Sequence, residues 1–248
     1  MPTIDVFGEL QMSDVMPAKK KGVADFIFLV DGTGSMHKCM RALKDNISVF
    51  LEGLNESQGA LHDWRGKVVV YRDVDADGSA WMENNPFVQN DPVSIRNQVQ
   101  TLEAKGGGDE PESLLDALHM IATTGHTEKG AVTLDPMKWR YPSDAGRVVI
   151  LFTDASFHSR IKYKPEVAGG TINDVFAAMT NARIILHFFA PDNEDYNRLS
   201  ELPKSEFNAL DEPPVQSLAT LSGDRDKFQK IMLALVKTIS SSHEPIVL

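Results

Sequence analysis

One stretch of the sequence, residues 31–35, carries side chains that could bind a metal ion. It reads Asp-Gly-Thr-Gly-Ser, so that Asp31, Thr33 and Ser35 alternate with glycines. A carboxylate and two hydroxyls are hard oxygen ligands suited to Mg²⁺, Mn²⁺ or Ca²⁺. Purely structural roles are equally open for these residues alone, because Ser35 could cap a following helix and Asp31 could brace the turn.

A buried strand must position this turn. Residues 26–30 are continuously apolar, which is typical of a central strand that is covered on both faces. Gly32 and Gly34 permit a tight turn, and an amphipathic helical pattern follows Ser35. Open α/β sheets bind their ligands at the carboxyl ends of parallel strands. We therefore expect the candidate ligands at that edge of a sheet.

Two further apolar stretches also end in aspartates. Residues 67–73 and 147–154 each predict a buried strand that is closed by Asp73 or Asp154, and residues 183–190 predict a fourth. Helical patterns separate the strands, which indicates an α/β fold with a Rossmann-like, mostly parallel central sheet flanked by helices on both faces. Three carboxylates at one edge would repel one another unless a cation lies among them or some are protonated.

A glycine-rich segment is the second distinctive feature. Gly106, Gly107 and Gly108 precede Asp109, and Glu112 follows three residues later. Asp109 and Glu112 predict a capping-box-like helix start. Three glycines exceed what a cap requires, and they indicate a backbone that approaches another group closely.

Other candidate residues have simpler explanations. The segment 75–78, Asp-Ala-Asp-Gly, resembles part of a calcium loop, but the later ligands are missing and a solvated turn is favoured. His37 and His158 flank the first and third acidic turns, where surface or packing roles are more common than catalysis.

Composition excludes several classes of function. The net charge of −10 argues against a nucleic-acid-binding surface. No apolar stretch reaches the roughly 18 residues that span a bilayer. A single cysteine, Cys39, cannot form an internal disulfide, which fits a reducing compartment, and we expect a cytoplasmic protein. The pattern predicts an N-terminal arm over residues 1–22 and a single domain over 23–242, with surface insertions at about 126–146 and 155–170.

The three motifs together resemble the von Willebrand factor A (vWA) domain family over about residues 23–240. They are Asp-Gly-Thr-Gly-Ser at 31–35, the glycine-rich turn with Asp109, and Phe-Thr-Asp at 152–154, and they occur in that family's order and strand context. The sequence is most similar to the intracellular and bacterial branch.

In that family, three loops form a metal-ion-dependent adhesion site (MIDAS). The resemblance implies that Asp31, Thr33 and Ser35 are the first-loop ligands and that Asp154 is the third-loop aspartate. Asp109 stands where the family usually has threonine, which implies a variant site.

The resemblance implies a divalent-metal-dependent protein-binding or scaffold module that does not catalyse a reaction. Mg²⁺ is the expected ion, with Mn²⁺ or Ca²⁺ as alternatives. The module would belong to an intracellular complex or a kinase- or phosphatase-linked system. It would bind a protein partner through an acidic residue of that partner or through the loops expected to surround the metal site, 75–85, 126–146 and 155–170, with no nucleic acid and no membrane involved.

An alternative function is a Mg²⁺-dependent phosphatase or phosphotransferase of the haloacid-dehalogenase-like type, in which Asp31 is the nucleophile. That family has a second acid two residues later, where this chain has Thr33.

Overall fold

The computed structural model describes residues 22–56, 61–108, 110–211 and 213–241. Asp109 and nearly all of the predicted N-terminal arm lie outside these ranges. The strands are β1 (Val23–Asp31), β2 (Asp63–Tyr71), β3 (Met82–Asn84), β4 (Val88–Gln89), β5 (Gly146–Phe152), β6 (Ile184–Pro191) and β7 (Glu206–Leu210). The α-helices are α1 (His37–Glu56), α2 (Val74–Asp77), α3 (Pro92–Gln100), α4 (Leu114–Thr123), α5 (Ile172–Asn181), α6 (Glu194–Leu199), α7 (Pro214–Gly223) and α8 (Arg225–Ser241).

The strands form one mostly parallel sheet in the order β3-β2-β1-β5-β6-β7, with β4 also paired to β2. Strand β1 is parallel to both β2 and β5, and β6 and β7 continue the parallel set. Among the described strands, β3 and β4 are the antiparallel ones, and both lie on the outer side of β2. The predicted Rossmann-like α/β fold is confirmed.

Helices cover both faces of the sheet, which is why β1 is continuously apolar from Phe26 to Val30. Phe26, Phe28 and Val30 belong to a core that includes residues of α1, α3 and α8. Ile27 and Leu29 face the opposite core, which includes residues of α4, α5 and α6. A strand that is buried on both faces reads as a continuous hydrophobic run rather than an alternating one.

Helix α1 fixes the direction in which the chain leaves the first turn. Its buried stripe includes Leu43, Ile47 and Phe50. The Phe50 ring packs edge-on against Phe26 and Phe28, with centroids 5.3 and 4.9 Å apart. The helix is thereby held along β1, so that residues 31–36 have little freedom at the carboxyl edge of the sheet.

The predicted insertion at 126–146 lies at the amino ends of the parallel strands, opposite the candidate metal site. Arg140 donates to Asp63 at 2.8 Å and lies 3.4 Å from Asp25, and Asp25 also accepts from Arg65 at 2.6 Å. Asp25 and Asp63 lie at the amino ends of β1 and β2, far along the strands from Asp31. The expectation that this loop surrounds the candidate metal site was therefore wrong.

Among the helices of the described ranges, none is both long enough and apolar enough to cross a bilayer.

Candidate metal centre

The turn after β1 is held against β2. The Gly32 N–H donates to the Tyr71 carbonyl oxygen at 2.7 Å. A Cβ atom at Gly32 would come within 2.4 Å of the Val70 Cγ1, so only glycine fits here. The Asp31 side chain is fully buried beneath the turn, and its Oδ1 accepts the Thr33 N–H at 2.9 Å.

Hydrogen bonds connect the side chains of the first and third predicted loops. The Thr33 and Ser35 hydroxyl oxygens are 3.2 Å apart, and Ser35 donates to Asp154 Oδ1 at 2.8 Å. The Thr153 hydroxyl donates to Asp31 Oδ2 at 2.8 Å. The structure thus brings together four of the five predicted site residues, and their role as metal ligands stays a prediction.

The fifth predicted residue, Asp109, lies outside the described residues. The predicted capping box was wrong, because α4 begins at Leu114 with Ser113 as its N-cap residue. Glu112 instead lies before the helix and forms backbone hydrogen bonds with the loop that follows β5. Its N–H donates to the Ser156 carbonyl oxygen at 2.9 Å, and its carbonyl oxygen accepts from the His158 N–H at 2.9 Å.

The glycine-rich segment is fixed beside the first turn by two charged side chains. The buried Arg72 donates to the carbonyl oxygens of Lys105 and Glu103 at 2.8 and 3.2 Å. The Gly107 N–H donates to Asp77 Oδ2 at 2.9 Å. The segment 75–78 is mostly exposed, as expected for a solvated turn, but it includes the end of α2, and Asp77 also holds the glycine loop.

Glu112 is the important residue that the sequence reasoning missed. Its side chain is 3% exposed, and its Oε2 has no hydrogen-bond partner among the described residues. A Cβ atom at Gly107 would lie 2.8 Å from Glu112 Oε1, so this carboxylate reaches the glycine loop. The available signal was an acid four residues after the glycine run and just before an apolar helix, and it was interpreted as part of a helix cap.

Burial and mutual repulsion raise the pKa values of these acids. Burial, with a contribution from Asp154, raises the pKa of Asp31 to about 6 despite the hydrogen bonds from Thr33 and Thr153. Burial, followed by the charges of Asp31 and Asp73, raises the pKa of Glu112 to about 8. Burial also raises the pKa of Asp154, against the hydrogen bond from Ser35. Burial is the largest cause in each case, and the charges of neighbouring acids add to it.

These residues fit a hard divalent cation. Carboxylate oxygens and hydroxyls suit Mg²⁺, Mn²⁺ and Ca²⁺. The buried Oε2 of Glu112 lacks a donor, and a cation nearby would offset its charge. Gly107 lets its loop pack directly against Thr33 and the Glu112 carboxylate, an approach that a Cβ atom at this position would prevent.

A second group of possible ligands lies at the same edge of the sheet. Asp73, Asp75 and His158 have ligand atoms that all lie within 4.8 Å of one another. His158 Nε2 is 3.3 Å from Asp73 Oδ1, which also accepts from Ser113 at 3.1 Å. Asp75 forms an ion pair with Lys162. An ammonium group therefore already supplies positive charge to this second group.

Comparisons with known proteins add information on the fold. No protein-family profile matches this chain, and no curated protein matches it. Among solved structures, the chain is similar to the pilus adhesin SpaC from Lactobacillus rhamnosus GG, with a TM-score of 0.50 and 11% identity. The match covers 88% of this chain and 31% of the adhesin chain, so this chain spans less than a third of that protein's length. At this identity the likeness shows the α/β fold alone.

Proposed function

We propose that this chain is a divalent-metal-dependent protein-binding module, with Mg²⁺ as the preferred ion and Mn²⁺ or Ca²⁺ as alternatives. The observation that carries the proposal is the buried carboxylate oxygen of Glu112, whose charge acts on that of Asp31 and which has no hydrogen-bond partner in the part of the chain that the structure describes. A buried carboxylate without a donor is costly to a folded protein, and a bound ion is one arrangement that offsets this cost.

The chain's own residues have distinct parts in this proposal. The hydroxyls of Thr33 and Ser35 and the carboxylate of Asp154 form the continuous rim that would hold the ion. Asp31 lies deeper, where its carboxylate holds the turn through the Thr33 N–H and adds negative charge beneath the rim. When bound, the ion would keep exchangeable water positions, and a carboxylate of a partner protein can occupy one of them.

We also propose that the chain belongs to the vWA family, in its intracellular branch, with Glu112 as the additional acid of a variant MIDAS. This proposal is supported by the order of the three loops along the chain and by their meeting at one sheet edge. Asp109 keeps its predicted role as a second-loop ligand within the proposal.

The alternative function, phosphoryl transfer through Asp31, is disfavoured by the geometry. A nucleophilic carboxylate must reach a phosphorus atom, whereas Asp31 is fully buried and both of its oxygens accept hydrogen bonds. Turnover of a generic phosphate ester with Mg²⁺, lost on Asp31→Asn, would establish the alternative and refute the binding-module proposal.

Isothermal titration calorimetry with Mg²⁺ tests the location of the ion. We expect the wild type to bind one ion and Asp154→Asn to lose most of its affinity, because that substitution removes a rim charge. Asp75→Asn is the matched control, since it removes the same charge from the second group of acids. Loss of binding in Asp75→Asn with retention in Asp154→Asn would place the ion at Asp73, Asp75 and His158 and overturn the proposed site.

A further inference from the structure

The exposed side of the first half of α1 is basic, although the chain as a whole carries a net charge of −10. Lys38 and Arg41 are exposed there and Lys44 is half-buried. Lys105 of the glycine loop and Arg225 at the start of α8 lie beside them. We call these five residues the basic face.

The basic face contains two depressions that share Arg41. One, of about 410 Å³, is lined by Arg41, Lys44 and Lys105, among others. The other, of about 500 Å³, is lined by Lys38, Arg41 and Arg225. Arg41 therefore forms a ridge between two shallow concavities, each with cations on its walls.

The positive charge of this face is only partly compensated by the chain itself. Asp45 and Glu103 are the carboxylates that line the two depressions, against the five cations. Glu103 pairs with Lys105 at 2.8 Å. Within the described ranges, Lys38, Arg41, Lys44 and Arg225 form no ion pair. The face thus offers several cations to an external partner.

The basic face is continuous with the candidate metal centre. Helix α1 begins two residues after Ser35, and the Lys105 N–H donates to the Gly32 carbonyl oxygen at 2.8 Å. Lys44 is nine residues beyond Ser35, a distance of about 13 Å along a helix. An extended peptide bound along α1 would cover this distance with roughly four residues. The amino terminus of α1 adds the positive end of its dipole at the junction.

We propose that the basic face is the docking surface for an acidic segment of a protein partner. This inference rests on the proposed function in one respect, namely that one acidic residue of the segment reaches the metal centre while the others lie along α1. Exposed cations in shallow concavities fit the short, flexible carboxylates of Asp and Glu. A long polyanion such as nucleic acid would also meet the repulsion of the surrounding acidic surface.

Fluorescence anisotropy with a labelled Glu-Asp-Glu-Asp-Glu peptide tests the inference on the full chain in the presence of Mg²⁺. A Gln-Asn-Gln-Asn-Gln peptide reports binding that does not depend on charge. We expect the combined substitution Lys38→Glu, Arg41→Glu and Lys44→Glu to lower the affinity for the acidic peptide at least about tenfold. Each exposed charge pair contributes about 0.2–1 kcal/mol to binding, and charge reversal adds repulsion. Added salt should weaken wild-type binding.

The matched control is Lys129→Glu, Lys230→Glu and Lys237→Glu, which changes the net charge by the same amount at exposed positions away from the basic face. We expect this control to retain most of the affinity for the acidic peptide. An equal loss of affinity for the acidic peptide in the two combined variants would show that only the net charge matters, and it would overturn the inference.

Two further outcomes separate this inference from the proposed function. Calorimetry that shows Mg²⁺ binding, together with no binding of the acidic peptide, would overturn the docking surface and leave the metal proposal standing. Absence of Mg²⁺ binding, with the peptide still dependent on the basic face, would overturn the metal proposal and support the docking surface. Tighter binding of an oligonucleotide or of anionic lipid vesicles through the same three residues would overturn the assignment to an acidic peptide.

Discussion

Gly107 lies so close to Thr33 that a Cβ atom at position 107 would come within 2.4 Å of the Thr33 Cγ2. Its φ angle of +90° is also one that side chains rarely adopt. The glycine loop and the turn at 31–35 are therefore complementary surfaces, and the run of glycines in the sequence has a direct structural reason.

Gly107→Ala should therefore weaken Mg²⁺ binding by about tenfold as well as destabilise the fold, because overpacking costs about 1–3 kcal/mol and must displace Thr33 or the loop. Gly125→Ala is the control, since Gly125 has a similar φ of +86° but no atom within 4 Å of its Cβ position. The control should lose only the roughly 1–2 kcal/mol of backbone strain and keep its Mg²⁺ affinity. Calorimetry and urea denaturation measure the two effects, and unchanged Mg²⁺ affinity in Gly107→Ala would contradict the expectation.

Ile150→Ala should reduce the free energy of unfolding by about 2–5 kcal/mol, the usual cost of truncating a buried aliphatic side chain. Ile150 is 0% exposed in β5, between β1 and β6. Ile185→Ala in the neighbouring strand is the comparison, and it should cost less because Ile185 is only half-buried. A loss below about 0.5 kcal/mol for Ile150→Ala, measured by urea denaturation, would argue against its place in the core.

The fold was predictable from sequence because its signals are local and strong. Residues 26–30 and 148–152 are apolar runs typical of a strand buried on both faces, and the aspartates that follow them mark the carboxyl edge. Thr33, Ser35 and Asp154 could be placed together for the same reason, because parallel neighbours end at one edge.

Glu112 could not be assigned from sequence, because its position depends on contacts with distant parts of the chain. Its backbone pairs with the loop after β5, and its side chain faces a glycine loop that Arg72 and Asp77 hold in place. A carboxylate three residues after an aspartate equally satisfies the pattern of a helix cap. Similarly, nothing local in residues 126–146 shows that Arg140 anchors them to Asp25 at the amino edge.

The apparent affinity for Mg²⁺ should rise with pH between about 6 and 8. The pKa of Asp31 is raised to about 6 and that of Glu112 to about 8, so at lower pH a cation must displace protons from these acids. Calorimetry at one pH in buffers with different heats of ionisation measures the protons released. Glu112→Gln should release fewer protons and lose the upper part of the pH dependence. Affinity that is constant from pH 6 to 8 in the wild type would contradict this linkage.

Glu112→Gln should also stabilise the metal-free protein at high pH. The pKa of Glu112 rises from an ordinary value of 4.5 to about 8 in the folded protein, so between these values the folded state holds a proton that the unfolded state has lost. Stability must therefore fall as pH rises through this window, and the whole penalty is present above about pH 8. Asp31 adds a fall of the same sign between 3.8 and about 6, but it is common to both proteins and cancels in their difference.

Urea denaturation in EDTA at both ends of that window isolates the effect. The stability gain of Glu112→Gln over the wild type should be small near pH 4.5, where both states of the wild type can hold the proton, and largest above pH 8. Glu128→Gln removes an exposed carboxylate and should show no such dependence on pH. A gain from Glu112→Gln that is the same at both pH values would come from packing of the amide and not from removal of a buried negative charge. That result would contradict the idea that a cation is needed to offset the charge of Glu112.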